Sequence, residues 1–170
     1  MESGAALDYL DIALRLVAAV VVGILIGINR DLANKPIGMR TLGLVSLGAA
    51  VVSLATIHFE GLANHPDALS RVVQGVIQGI MAGIGFIGAG VILRDPAGQT
   101  VKGLTTAATV WVTAALGIAC GLAAWSIVGM SVGLALFLLV GLGWIEEKYL
   151  DFSKEDEGPD REKPARRRKA

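Results

Sequence analysis

Apolar residues fall into five long runs joined by short charged stretches: Ile12 to Ile28, Thr41 to Ile57, Val72 to Leu93, Leu104 to Ala124 and Ser126 to Ile145. Each is close to the roughly 20 residues that an α-helix needs to cross a bilayer. The pattern therefore predicts an all-α membrane protein, a bundle of about five transmembrane helices. The first two runs are a little short, and Tyr9 with Leu10 extends the first outward. Arg15, in the first turn of that run, is expected to snorkel to the surface or to pair with Asp11 at i,i+4. Trp125, an aromatic of the interfacial kind, marks the boundary between the fourth and fifth spans.

The joints set the orientation. With five spans, one side collects Arg30, Lys35, Arg40, Arg94, Lys102 and the basic tail, while the other side holds only Arg15 and Arg71. The positive-inside rule then places the N-terminus outside and the C-terminus in the cytoplasm. Residues 1–148 form the expected transmembrane domain. Residues 149–170 read as a disordered, charged cytoplasmic tail, because they offer too little apolar surface to fold.

Composition narrows the class. The 170 residues are 54% hydrophobic and 18% charged, with a mean hydropathy of +0.62, which lies outside the soluble globular range. The formal net charge of zero hides a strong asymmetry, since residues 146–170 hold eight of the 15 basic and eight of the 15 acidic residues. The partner this implies is the lipid bilayer, and no nucleic acid is expected. One cysteine, Cys120, excludes an internal disulfide and a cysteine-based metal cage. The acidic N-terminus lacks the basic region of a cleaved signal peptide.

The most unusual stretch runs from Gly79 to Arg94 and contains Gly79, Gly83, Gly85, Gly88 and Gly90. Glycine costs a helix in water about 1 kcal/mol relative to alanine. In lipid, by contrast, small residues let helices approach closely enough to pack. Gly75, Gly79 and Gly83 recur at i+4 and form one smooth stripe, so the third and fourth spans are expected to be a close-packed pair. Trp111 is expected to fill the space left by the missing side chains. An alternative is a break over Gly83 to Gly90 that frees carbonyls to line a polar path. Gly83-Ile-Gly-Phe-Ile-Gly88 also fits the dinucleotide fingerprint, but it lies inside an apolar span and no acid follows from Thr100 to Ile145.

Candidate chemistry gathers at the basic side. Thr105 or Thr106 is placed to cap the fourth helix, and Thr105, Thr109 and Thr113 are expected to lie on one stripe of it. With Arg30, Arg40, Thr41, Arg94 and Lys102 at similar depth, these residues make a candidate site for phosphate or a lipid headgroup. The competing reading is that the basic residues only set topology and the threonines bond back to their own helix. Magnesium is normally held by carboxylates with retained water, yet the third to fifth spans contain no acidic residue. A carrier that dehydrates the ion at mid-membrane is disfavoured. His58 to Glu60 and His65 to Asp67 form only a weak candidate for a transition metal. No metal site, cofactor or enzymatic activity is expected, since no span offers a nucleophile with a base in reach.

Three blocks in the same order resemble the MgtC/SapB family of bacterial inner-membrane proteins. They are Arg30 with Gly38-Met-Arg-Thr-Leu-Gly-Leu-Val-Ser-Leu-Gly-Ala-Ala50, then Gly83 to Arg94, then Val101 to Trp111. The resemblance implies a five-span protein associated with growth under magnesium limitation and, in pathogens, with survival inside host cells. It does not imply established magnesium transport. The family usually has Glu just before the first-loop arginine, where this chain has Asn29. Many members also carry a soluble C-terminal domain, where this chain has only its charged tail. The expected function is a non-enzymatic factor in magnesium homeostasis that acts on another inner-membrane protein, or through a small anion or lipid headgroup. The alternative is a transporter or channel for magnesium or phosphate. Stripes such as Gly129-x-x-x-Gly133 suit a homodimer as well as contacts within the chain.

Overall fold

The computed structural model describes residues 2–58, 66–94 and 101–142, with side chains for 9–58, 67–92 and 101–142. Its elements are α1 (Glu2–Leu32), α2 (Met39–Ile57), α3 (Pro66–Val91), β1 (Leu93–Arg94), β2 (Val101–Lys102), α4 (Leu104–Gly121) and α5 (Trp125–Leu136), the last continuing as a π-helical turn over Phe137–Leu142. Among the described residues, five stretches are long and apolar enough to cross a membrane: Tyr9–Leu32, Met39–Ile57, Asp67–Val91, Leu104–Gly121 and Trp125–Leu142. The protein is a multi-pass helical membrane protein, as the apolar runs predict. Among the described residues, the one departure from all-helix is a two-residue antiparallel ladder, in which Leu93 pairs with Lys102 and Arg94 with Val101. The C-terminal tail, the end of the fifth predicted span and most of the histidine loop lie outside the described residues.

Hydrogen bonds shape the joint between α1 and α2, with Ile37 packed against the core cluster. The Lys35 N–H donates to the Arg30 carbonyl at 3.0 Å, and Asn34 adopts a left-handed φ of 51°. Asp31 reaches across the turn, and its Oδ2 accepts the Met39 N–H at 3.0 Å. A carboxylate thus meets the first free N–H of α2, where the helix dipole favours negative charge.

Three helices make the core. α2 lies between α1 and α4, and buried Ala19, Val22, Ile26, Leu42, Ala50, Val110, Leu116 and Cys120 form one cluster. Glycines place the backbones nearly in contact. A Cβ on Gly23 would lie 2.5 Å from the Leu42 carbonyl oxygen, and one on Gly27 would strike the Met39 backbone. On the other side of α2, a Cβ on Gly117 would strike the Ser46 backbone, and one on Gly121 would come within 2.7 Å of the Ala50 carbonyl oxygen. The paired positions fall in order as α1 runs antiparallel to α2 and as α4 runs parallel to it.

These contacts correct the expected role of the glycine-rich run. α3 and α4 are neighbours, but α3 packs through Ile77, Ile80, Met81 and Ile84, bulky residues set against Ala49, Ala114 and Ile118. A Cβ at Gly75, Gly79, Gly83, Gly85 or Gly90 would meet nothing within 4 Å among the described residues. Of this run only Gly88 faces α4, where a Cβ would lie an ordinary 3.6 Å from the Ala107 Cβ. Trp111 is 49% exposed and therefore does not fill a sealed gap over the stripe. α3 also runs unbroken through Gly83 to Gly90, so the alternative of an unwound segment does not hold either. Spacing alone shows that a stripe exists, and says nothing about which side of the helix the protein uses.

Alanine at Gly27 or Gly117 is expected to destabilise the bundle by about 1–3 kcal/mol, the usual cost of overpacking. Alanine at Gly48 or Gly133, where a Cβ meets open space, should leave stability unchanged or slightly raised. Denaturant unfolding of the purified protein in dilute detergent measures both.

Candidate functional site

Arg30 stands in the last turn of α1 and is only 4% exposed. Its Nη2 donates to the Thr106 hydroxyl of α4. Its Nε has no hydrogen-bond partner, and no carboxylate among the described residues pairs with it. A buried guanidinium carries five N–H donors, so one hydroxyl leaves most of its capacity unused. Thr106, 3% exposed, is the third residue of α4.

The start of α4 is formed by Gly103 at φ 93°, with no side chain capping it. A Cβ there would strike the Val91 carbonyl oxygen, which fixes glycine at this position twice over, by space and by backbone conformation. Thr105 and Thr106 therefore do not cap the helix as expected. The uncapped N–H groups and the positive dipole end lie beside a cation, and both favour an anion. The charge of Arg30 is partly offset by the C-terminal end of its own helix α1.

The opposite end of α4 is held in the same way. Arg15 pairs with Asp11 at 2.6 Å, as its i,i+4 spacing predicts, and its Nη1 donates to the Gly121 carbonyl at 3.1 Å. Here the arginine meets a helix C-terminus, the favourable dipole end. Arg15 and Arg30 are separated by the same number of residues as Thr106 and Gly121. One antiparallel register therefore makes both contacts, about 22 Å apart at the rise of an α-helix.

Between these ends the hydroxyls are mostly spent on their own helices. Thr109 donates to the Thr105 carbonyl at 2.7 Å, Thr113 to the Thr109 carbonyl at 2.8 Å and Ser53 to the Ala49 carbonyl at 2.8 Å. Ser46 Oγ is the exception, fully buried without a partner. The buried stripe is Thr106, Thr109 and Thr113, while Thr105 faces outward. Of the remaining candidates, Arg40, Thr41 and Lys102 are exposed at the same end of the bundle and do not converge on Arg30. The backbone of Arg94 sits in the ladder beside Lys102, and its side chain lies outside the described residues. His58 bonds the Leu54 carbonyl at 3.0 Å, and no group of three metal-ligating side chains occurs among the described residues. Sequence reasoning missed the contact between Arg15 and Gly121 and the cap made by Asp31. In both, a side chain meets a backbone atom that leaves no mark in the sequence.

Residues 16–148 match the family model described as the MgtC family. The chain is 40% identical over 156 residues to Protein SrpB of Synechococcus elongatus, with 84% of each chain covered. It is 42% identical over 109 residues to Protein MgtC of Salmonella typhimurium, covering 64% of this chain and 42% of that one. It is 34% identical over 154 residues to Protein SapB of Bacillus subtilis, covering 89% of this chain and 61% of that one. The match thus spans less than two thirds of both MgtC and SapB. No solved structure matches the chain.

Thr106→Val keeps the shape of the side chain and removes the oxygen that receives Arg30. It is expected to cost about 1–3 kcal/mol, because a buried charged donor loses its partner. Thr105→Val, on the exposed face, should be close to silent. Unfolding in detergent, run on the two variants side by side, checks the difference.

Proposed function

This chain belongs to the MgtC family, and from that premise we propose that it is an inner-membrane, non-enzymatic factor in adaptation to magnesium limitation that binds a phosphate-type anion beside Arg30. The observation that supports this reading is the Arg30 guanidinium, buried at the uncapped start of α4 with a single hydroxyl partner. An anion there takes up the unused guanidinium donors and also meets the positive end of the helix. Phosphate in solution and the phosphate of a lipid headgroup present the same oxygens.

The bundle offers magnesium much less. Asp11 is engaged by Arg15, and Asp31 receives the Met39 N–H. Both lie toward the helix ends, whereas the ion prefers carboxylates with several retained waters. With the end that carries Arg30, Arg40 and Lys102 facing the cytoplasm, as the positive-inside rule requires, the site lies on the side of cytoplasmic anions and the inner leaflet. The protein then acts by sensing that anion or by presenting it to a membrane partner.

The test uses the purified full chain in vesicles of neutral lipid, titrated with inorganic phosphate. Wild type should gain thermal stability, by about 2.7 kcal/mol when phosphate is present at a hundred times its dissociation constant. Arg30→Gln should show no gain, while Arg40→Ala should retain it. In the same vesicles neither magnesium nor phosphate should cross. Flux that depends on Arg40 and Arg94 overturns the proposal in favour of a transporter. Anionic in place of neutral lipid, without added phosphate, separates a headgroup from the free ion.

A further inference from the structure

Over Gln74 to Gly83, α3 is patterned the wrong way round for a helix that meets lipid, with bulky exposed apolar residues only on either side, at Val72, Phe86 and Ile87. Its bulky residues Ile77, Ile80, Met81 and Ile84 point into the protein. Its outward face carries Gly75, Gly79, Ala82 and Gly83, all exposed, together with the amides of Gln74 and Gln78. Gln78 is near the middle of the Asp67–Val91 span, so water cannot reach it by snorkelling from either end. Neither amide makes a hydrogen bond among the described residues, and hydrocarbon supplies none. α5 shows the contrast. Its outward residues include Ile127, Met130, Leu134, Phe137 and Leu138, which suit lipid tails.

We propose that the outward face of α3 is covered by the same face of a second copy of this chain, with Gln74 and Gln78 paired across the two-fold axis. A primary amide is both donor and acceptor, so it is self-complementary in a way that a basic cluster is not. In a two-fold contact of two α3 helices entering the membrane in the same direction, Gln78 meets its own equivalent. The glycines on either side let the backbones come near enough for the amides to reach. The charges on this face agree. Asp67 and Arg71 are exposed one turn apart and form no ion pair with each other, so each Arg71 can take the Asp67 of the second copy. Binding at Arg30 is not required for this contact, and the two readings stand or fall separately.

Single cysteines placed by Gln74→Cys, Gln78→Cys, Ala82→Cys and, as lipid-facing controls, Met130→Cys and Leu134→Cys test the contact in the full chain in vesicles. Cys120 is fully buried and stays in place, with wild type reporting its background. Mild oxidation should yield covalent dimers from the three α3 variants and not from the two controls. Replacing both glutamines by leucine should weaken association about tenfold, read by single-molecule photobleaching over a range of lipid dilutions. Gln78→Asn, which keeps the amide, should retain most of it. Wild type that stays monomeric at every dilution overturns the proposal. So do cross-links that form through α5 alone, or α3 cysteines that link only to a different protein in native membranes.

Discussion

The near-contact of backbones at Gly23, Gly27, Gly117 and Gly121 is what the rest of the bundle depends on. In lipid an apolar side chain gains little by exchanging acyl chains for other side chains, so helices associate through close packing and interhelical hydrogen bonds. α2 is held on both sides in this way, by α1 through one pair of glycines and by α4 through the other. Because α1 and α4 both take their places from α2, they also meet each other in a fixed register. Arg15 and Arg30 can then close on the two ends of α4.

That order of cause explains why an arginine tolerates burial here. A guanidinium left free within the hydrocarbon is costly, and it normally points to water or pairs with an acid. Arg30 is held away from water by a packing arrangement settled elsewhere, in the glycine contacts one and two turns along α1. Its bond to Thr106 relieves part of the cost and leaves Nε unmet. Asp31 is the next residue, yet its carboxylate is committed to the N-terminus of α2 and does not pair with Arg30. A neighbouring acid in the sequence is thus not a neighbouring charge in the structure.

Much of this was legible beforehand, and what failed had a common cause. Five apolar runs, the pairing of Asp11 with Arg15 and the gathering of basic residues at one end all follow from spacing along a single helix. Which face of a helix meets the protein does not follow from spacing. The densest set of glycines, from Gly75 to Gly90, largely faces outward, whereas the four that bring backbones together lie in ordinary-looking apolar runs. Thr106 in place of Thr105 is the same error on a smaller scale, one position on a helix turning a side chain by about 100°. The resemblance to the family located the blocks correctly, but sequence blocks do not say which of their residues touch.

The two outer helices differ in outward chemistry, with α5 presenting bulky apolar residues and α3 presenting glycines and amides over Gln74 to Gly83 before Phe86 and Ile87. This difference bears on the buried arginine through Gly103. The first residue before α4 lies directly against the Val91 carbonyl at the end of α3, with no side chain between them to yield. A change in the position of α3 at that end therefore has to be passed to the start of α4 or absorbed in the short ladder that joins them. Thr106, and with it the acceptor for Arg30, is three residues further on. Whatever rests on the outer face of α3 is for this reason mechanically close to the guanidinium on α1, although the two lie on different sides of the bundle.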